Sequence, residues 1–197
     1  MDKREIIEFF DRYADEWDDR MIRDDEVINQ ILINAGVNEG KDILDVACGT
    51  GVLIPDYLDR KVNSVTAIDI SPEMVNIAKS KFCDDKVHII CGDVETYKFE
   101  RRFDCIVVYN AFPHFAEQKK LIKILAGHLK EKGTLTIAHG MSRDNINKHH
   151  QGAASKVSQE LVTADELALI MGTELEIIVN IANNRMYQVT GVNKLEV

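Results

Sequence analysis

The sequence predicts an α/β fold, and two observations carry the prediction. Five short runs rich in Val and Ile alternate with helical patterns between residues 42 and 138, and two further runs close the chain across Asn183-Asn184. Parallel neighbours need a helix-length crossover, whereas runs joined by two residues pair antiparallel. The expected architecture is a three-layer sandwich around a mostly parallel seven-stranded sheet with a closing antiparallel hairpin. A length of 197 residues, 45% hydrophobic and 29% charged, suits one domain. We expect residues 1–36 to form an N-terminal helical segment and residues 42–197 the α/β core.

Taken in order, residues 3–19 read as a helix, because Ile6, Ile7, Phe10, Tyr13, Ala14 and Trp17 recur at helical spacing. A second helix runs from about Asp24 to Ala35 with Val27, Ile28, Ile31 and Leu32 inward; Asp24 or Asp25 caps it and Gly36 ends it. Ile43, Leu44 and Val46 form the first strand, a glycine turn follows, and Val52 to Arg60 is an amphipathic helix. Residues 64–70 form the second strand, and Ser71 with Pro72 at the first helical position opens the next helix. The third strand is 86–91 and the fourth 103–109. A helix over 117–130 turns inward Leu121, Ile124, Leu125 and Leu129; Lys130 to Gly133 is a turn, and Thr134 to Ala138 the fifth strand. Residues 140–160 are polar and read as a long loop or short helix over the site. Thr163 and Glu166 form a capping pair for a helix over 163–171, and strands at 175–181 and 185–192 complete the hairpin.

Charge and composition narrow the function. A net charge of −9 argues against DNA or bulk RNA as partner, since such binders carry a basic face. There is no apolar run of about 18 residues, so no membrane span is expected. The charged start Met1 to Glu5 lacks an apolar signal core, and Cys48, Cys83, Cys91 and Cys105 show no CxxC pair. These features predict reduced thiols in a cytoplasmic protein and no zinc site built on cysteine. Monomer and homodimer both stay open.

The most informative stretch is Asp42 to Gly51. Strand, tight glycine turn and helix together aim backbone N–H groups at a ligand. Asp45 at the strand's end would repel a phosphate and attract an ammonium group. The turn therefore suits a nucleoside that carries positive charge near its polar tail. Asp45-x-Ala47-x-Gly49-x-Gly51 resembles motif I of the class I S-adenosylmethionine-dependent methyltransferases, which have a Rossmann-like sheet. That family usually has glycine where this chain has Ala47; alanine adds one methyl and is expected to keep φ below zero here. By this resemblance Asp45, Ala47, Cys48, Gly49, Thr50 and Gly51 bind the cofactor.

Later stretches fall in the same order. Asp69 ends the second strand 18 residues after Gly51, where two acceptor oxygens match two vicinal ribose hydroxyls. Ile70 and Met74 flank it. Gly92-Asp93-Val94 matches the family's acidic adenine-binding position, with Asp93 accepting from the amino group and Val94 packing on the ring. Asn110 follows the fourth strand, where the family places methyl donor and acceptor. The nucleobase amino-methyltransferases have Asn/Asp-Pro-Pro-aromatic there, whereas this chain has Asn110-Ala111-Phe112-Pro113, which argues against nucleobase methylation. The implied cofactor is S-adenosyl-L-methionine, with S-adenosyl-L-homocysteine as product, and the implied reaction is methyl transfer to O, N or S of a small molecule. A dinucleotide-dependent oxidoreductase would need a third glycine where Ile54 stands. A protein acceptor, or a cofactor-binding module without catalysis, are the other readings.

Acceptor-side residues are less sharply marked. Tyr13 and Trp17 either wall the pocket, as N-terminal helices do in the family, or pack as helix-face core. His114, His139, His149 and His150 all follow the fourth and fifth strands, on the side where ligands bind. Three readings compete: a general base, for which His114 and His139 are best placed at strand ends; a metal site; or structural histidines. His149 and His150 are neighbours and should not both face the pocket. Phe112 and Arg143 complete the expected acceptor contacts, Arg143 as partner of an anionic group.

Overall fold

The computed structural model of the protein describes residues 1–194. Its elements in chain order are α1 (Lys3–Tyr13), a 3₁₀ turn (Ala14–Glu16), α2 (Trp17–Arg20), α3 (Asp25–Asn34), β1 (Asp42–Val46), α4 (Ile54–Asp59), β2 (Ser64–Asp69), α5 (Pro72–Lys81), β3 (Val87–Cys91) and β4 (Phe103–Tyr109). A 3₁₀ turn (Phe112–His114), α6 (Gln118–Gly127), β5 (Leu129–His139), α7 (Arg143–His150), a 3₁₀ turn (Ala153–Lys156), α8 (Ala164–Met171), β6 (Leu175–Ala182) and β7 (Tyr187–Asn193) follow. The seven strands form one sheet in the order β3-β2-β1-β4-β5-β7-β6. β3, β2, β1, β4 and β5 run parallel, and β7 pairs antiparallel with both β5 and β6.

Every residue of β1 and β2 is buried, which is why both strands read as near-continuous apolar runs. The period of two sends their side chains to opposite layers. On one face Leu44, Val46, Ile106 and Val108 pack with Phe112, Leu121, Leu125, Leu167 and Met171. On the other, Ile43, Val65 and Val107 pack with Ile28, Leu32, Ile54 and Tyr57. Each such aliphatic side chain contributes about 1.5–3 kcal/mol by leaving water. Strand order reverses between β1 and β4, so a crevice opens beyond their carboxyl ends.

The structure departs from the sequence expectations in two main places. The helix expected over 3–19 breaks after Tyr13, whose backbone sits at φ −101° and ψ 0°. The break turns Trp17 onto Phe10, with ring centroids 5.4 Å apart, and brings Asp18 to Thr50. Residues 130–133, expected as a free turn, bulge out of β5: Phe103 pairs with Leu129 but Cys105 pairs with Thr134. Lys132 takes φ +58° there, and a Cβ on Gly133 would stand 2.9 Å from the Lys130 carbonyl oxygen. In the polar stretch after β5, Ser142 caps α7 through the Asn145 N–H. No helix of the described residues is long and apolar enough to cross a membrane.

Candidate active site

A cavity of about 530 Å³ opens at the carboxyl ends of β1 to β4 and is roofed by α1 and α2. Its floor is the turn after β1. Ala47, Gly49 and Gly51 adopt φ of +54°, +54° and +86°, which winds the chain tightly, and the Cys48 N–H donates to the Ile68 carbonyl. The positive φ at Ala47 corrects the expectation that alanine would stay below zero; the turn needs a left-handed residue there, and Ala47 adopts it at a cost of about 1–2 kcal/mol. At Gly51 a Cβ would lie 2.6 Å from Phe82 Cε2 and 2.9 Å from Ile54 Cδ1, so only glycine fits. Ala47, Cys48 and Gly49 line the cavity. Thr50 and Gly51 do not: Thr50 turns its hydroxyl to Asp18, and Gly51 packs behind the turn.

Four carboxylates line the cavity. Asp69 is buried; its Oδ2 accepts from the Gly49 N–H at 2.8 Å and its Oδ1 from the Ser71 N–H at 2.9 Å, which fixes the carboxylate between two turns. Burial raises its pKa. Asp45 is buried as well; desolvation and then the charge of Asp69 push its pKa up to about 8. The Tyr57 hydroxyl, buried and without a formed hydrogen bond, is the donor in its neighbourhood. Asp93 accepts from the Glu95 N–H at 3.0 Å and pairs with Lys3 Nζ at 2.5 Å; Lys3 also pairs with Glu95. Ile70, Met74 and Val94 supply apolar lining beside these acids.

The roof is aromatic. Phe9, Phe10, Tyr13 and Trp17 line the cavity in a contact chain, with Phe9 4.9 Å from Tyr13 and 5.3 Å from Phe10, ring centroid to centroid. Trp17 Nε1 stands 4.0 Å from the Cβ position of Gly49. Three ties hold this segment down: Lys3 to Asp93, Asp11 to the Ser71 hydroxyl at 2.5 Å and the Glu73 N–H at 3.2 Å, and Asp18 to Thr50 at 2.5 Å and Lys81 at 2.7 Å. They engage the loops after β3, β2 and β1 in turn.

Beyond β4, Asn110 takes φ +54° and its Oδ1 accepts from the Gly140 N–H at 3.0 Å. His114 lines the cavity against Phe10, ring centroids 5.0 Å apart. Its Nδ1–H donates to the Val157 carbonyl at 2.8 Å, so Nε2 keeps the lone pair. Burial lowers its pKa to about 4, which keeps the ring neutral near physiological pH.

Six of the residues singled out from sequence lie off the cavity: Thr50 and Gly51, with Phe112, His139, Arg143 and His150. Phe112 is fully buried in the core. His139 sits behind the wall, its Nε2 without a partner, and burial lowers its pKa to about 3. His150 packs against His114 with centroids 5.3 Å apart, while its neighbour His149 lines the cavity. Arg143 is held by the Leu161 carbonyl at 2.7 Å and by Glu160, so the expected anion contact has no guanidinium to make it. Among the described residues no three His, Cys, Asp or Glu side chains stand where they would hold a metal ion. Lys3, Phe9, Asp11, Asp18, Phe115 and Met141 belong to the site or its ties and were not singled out. Phe9 and Phe115 carry only an aromatic signal, and the acids and Lys3 carry none short of the fold.

Comparison with known proteins agrees with this geometry. Residues 43–133 match the family model described as a methyltransferase domain. The malonyl-[acyl-carrier protein] O-methyltransferase of Priestia megaterium is 38% identical over 112 residues, covering 56% of this chain and 40% of that protein. The ubiquinone biosynthesis O-methyltransferase of Coxiella burnetii is 29% identical over 143 residues, covering 68% of this chain and 61% of that one. The chain thus spans about half the length of the curated relatives it matches. The magnesium protoporphyrin IX methyltransferase of Synechocystis PCC 6803, solved with bound S-adenosylhomocysteine, superposes with a TM-score of 0.75 at 16% identity, over 98% of this chain and 100% of that one; it establishes the shared fold.

Proposed function

We infer that the chain is a class I S-adenosylmethionine-dependent methyltransferase, and we propose that it transfers a methyl group from S-adenosylmethionine to a nucleophilic atom of a small molecule. The observation that carries the proposal is the sequence of acids on one cavity: Asp45 and Asp69 stand at the carboxyl ends of β1 and β2, Asp93 follows β3, and all three line it.

The residues fit the cofactor chemically. Asp45 is a buried acid whose ionised form finds no cation beside it, so an ammonium group is the partner that would stabilise its charge. The Asp69 carboxylate is held by two backbone N–H groups and keeps lone pairs for a pair of hydroxyls. Asp93 and Val94 offer an acceptor and an apolar face for adenine, and the turn at Ala47, Cys48 and Gly49 brings backbone close to the tail. Ile70, Met74 and Asn110 complete the lining. When bound, S-adenosylmethionine supplies a methyl group on a positively charged sulfur, which leaves as the neutral thioether.

The chain's own residues do the rest. The aromatic roof excludes water and holds acceptor and methyl in line; such alignment supplies about 7–11 kcal/mol of barrier lowering. His114 Nε2 accepts a hydrogen bond from the nucleophile and takes its proton as the new bond forms. His139 lies off the cavity and packs against Tyr187. In this reading the chain is one domain, with residues 1–36 as its cover, in the cytoplasm. Its net charge of −9 favours small acceptors over nucleic acid.

The test is transfer of labelled methyl from S-adenosylmethionine into a cell extract separated into small-molecule, protein and RNA fractions. Label in the small-molecule fraction is expected. Label confined to protein or RNA would overturn the proposal. Asp69→Ala is expected to weaken S-adenosylhomocysteine binding by about 2 kcal/mol, since ribose donors then lack an acceptor.

A further inference from the structure

Tyr57, in α4, is a fully buried titratable group outside the cavity lining, and the sheet register shows which residue it faces. In β1, Asp45 pairs with Ala67 of β2 and Val107 of β4. Ile43, two residues earlier, pairs with Val65 and Cys105. Side chains alternate along a strand, so Ile43 and Asp45 share one face of the sheet with these partners. Ile43, Val65, Ala67, Cys105 and Val107 all pack in the layer that contains Tyr57. The register therefore sends the Asp45 carboxyl toward α4, while its place near the end of the strand also opens it to the cavity.

Donors are scarce on that inner side. The side chains of Ala67 and Val107 have none, and the Cys48 thiol is directed to the Gly49 carbonyl at 3.7 Å. The Tyr57 hydroxyl has no hydrogen-bond partner. The titratable groups whose charge bears on it are Asp45 foremost, then Asp56, Cys105 and Cys48, with no cation among them. Burial pushes its pKa well above the usual tyrosine value, so it stays a neutral donor. Burial and then the charge of Asp69 raise Asp45, and Tyr57 is the group that acts the other way, favouring the ionised carboxylate. A buried hydroxyl left unpaired costs free energy, which a bond to a charged acceptor recovers.

On the reading that the cavity holds S-adenosylmethionine, we propose that Tyr57 is a positioning residue for the cofactor's ammonium group, its hydroxyl donating to the inner oxygen of the ionised Asp45 carboxylate and leaving the outer oxygen for the ammonium. Tyr57 keeps its own proton throughout, so the carboxylate gains a hydrogen bond and no further charge enters the core. The burial that disfavours ionised Asp45 is then offset from two sides, by the hydroxyl within the core and by the ammonium in the cavity.

The experiment is calorimetric titration of the full chain with S-adenosylhomocysteine from about pH 6.5 to about pH 8.5, for wild type, Tyr57→Phe, Asp45→Asn and the double variant. Tyr57→Phe keeps the ring that fills the layer and removes one oxygen that has no partner, so it is expected to resist urea at least as well as wild type. A donor that favours the ionised carboxylate matters most where ionisation is incomplete. Tyr57→Phe is therefore expected to bind about tenfold more weakly near the acid end, with the deficit narrowing as pH rises. In the Asp45→Asn background the same change is expected to have no effect. Wild-type affinity, a deficit equal at every pH, or a deficit that persists in Asp45→Asn overturns the proposal. Failure of wild type to bind S-adenosylhomocysteine would instead remove the methyltransferase reading beneath it.

Discussion

Asp18 accepts a hydrogen bond from the Thr50 hydroxyl at 2.5 Å, across 32 residues of sequence, and so ties the N-terminal helices to the glycine turn. Asp11 does the same at the start of α5 through Ser71, and Lys3 at the loop after β3 through Asp93. The roof is therefore fastened to each loop that we assign to the cofactor. These ties must release before the cofactor leaves, so their loss should act on the rate of exchange more than on the fold. A hydrogen bond to a charged group is worth about 1.5–3 kcal/mol. Asp18→Ala is expected to speed S-adenosylhomocysteine dissociation about tenfold or more by that magnitude. Trp17, the chain's single tryptophan, lines the cavity and reports the release in a stopped-flow displacement. A dissociation rate equal to wild type would show that the roof does not gate exchange.

Two of the three left-handed residues in the turn after β1 have opposite tolerance. At Gly51, φ +86° and the Phe82 ring 2.6 Å from a Cβ position leave no room for alanine. Gly51→Ala is expected to cost about 2 kcal/mol or more through strain and clash. At Ala47 the reverse holds: φ +54° strains the residue already present. Ala47→Gly removes about 1–2 kcal/mol of that strain and returns about 0.5–1 kcal/mol to unfolded-chain entropy. A small gain, about 0.5 kcal/mol, is expected on this balance. Urea denaturation of both variants decides; a destabilised Ala47→Gly would refute the strain.

What the sequence made legible was what local chemistry encodes. β1 and β2 are buried on both faces, so their apolar runs stand out, and Ser71-Pro72 and Thr163-Glu166 announce helix starts by capping alone. Asp45, Asp69 and Asp93 were legible because a strand end fixes where a side chain goes. Contacts that depend on distant partners were not. Helical spacing runs on through Tyr13, Ala14 and Trp17, although the chain breaks there to set Trp17 on Phe10. Nothing near Lys3 reveals that it meets Asp93, 90 residues on. Arg143 has the charge for an anion site, and only the fold shows the Leu161 carbonyl taking it.

Two buried histidines set an acid limit on stability. Burial lowers His139 to about 3 and His114 to about 4, from an ordinary 6.5. The unfolded chain then binds more protons than the folded one below the ordinary value. Stability therefore falls as pH drops through that window, by about 1.4 kcal/mol per pH unit for each group. His139→Phe keeps a ring of similar size beside Tyr187, whose centroid is 5.9 Å away, and cannot take up the proton. Its denaturation free energy is expected to depend less steeply on pH than that of wild type between about pH 4 and 6. Parallel curves would mean that His139 is solvated in the folded protein.

Asp45 works in the opposite direction. Burial and the neighbouring Asp69 raise it from 3.8 to about 8, so the folded chain binds a proton that the unfolded chain has lost. Its contribution to stability is full below the unfolded value and declines as pH rises through the folded one. Asp45→Asn carries no ionisable group, so it is expected to abolish that decline and to stabilise the ligand-free protein by about 2 kcal/mol or more near pH 8. The same residue should suffer in binding. An ammonium group brought to Asp45 favours the ionised carboxylate, so association near neutral pH expels the proton that Asp45 held. Calorimetry of S-adenosylhomocysteine binding in two buffers of different ionisation enthalpy is expected to show release of a substantial fraction of one proton. Asp45→Asn should show none, together with affinity lower by about tenfold. Equal proton release in both proteins would sever Asp45 from the ammonium, and would leave its burial without a functional reason.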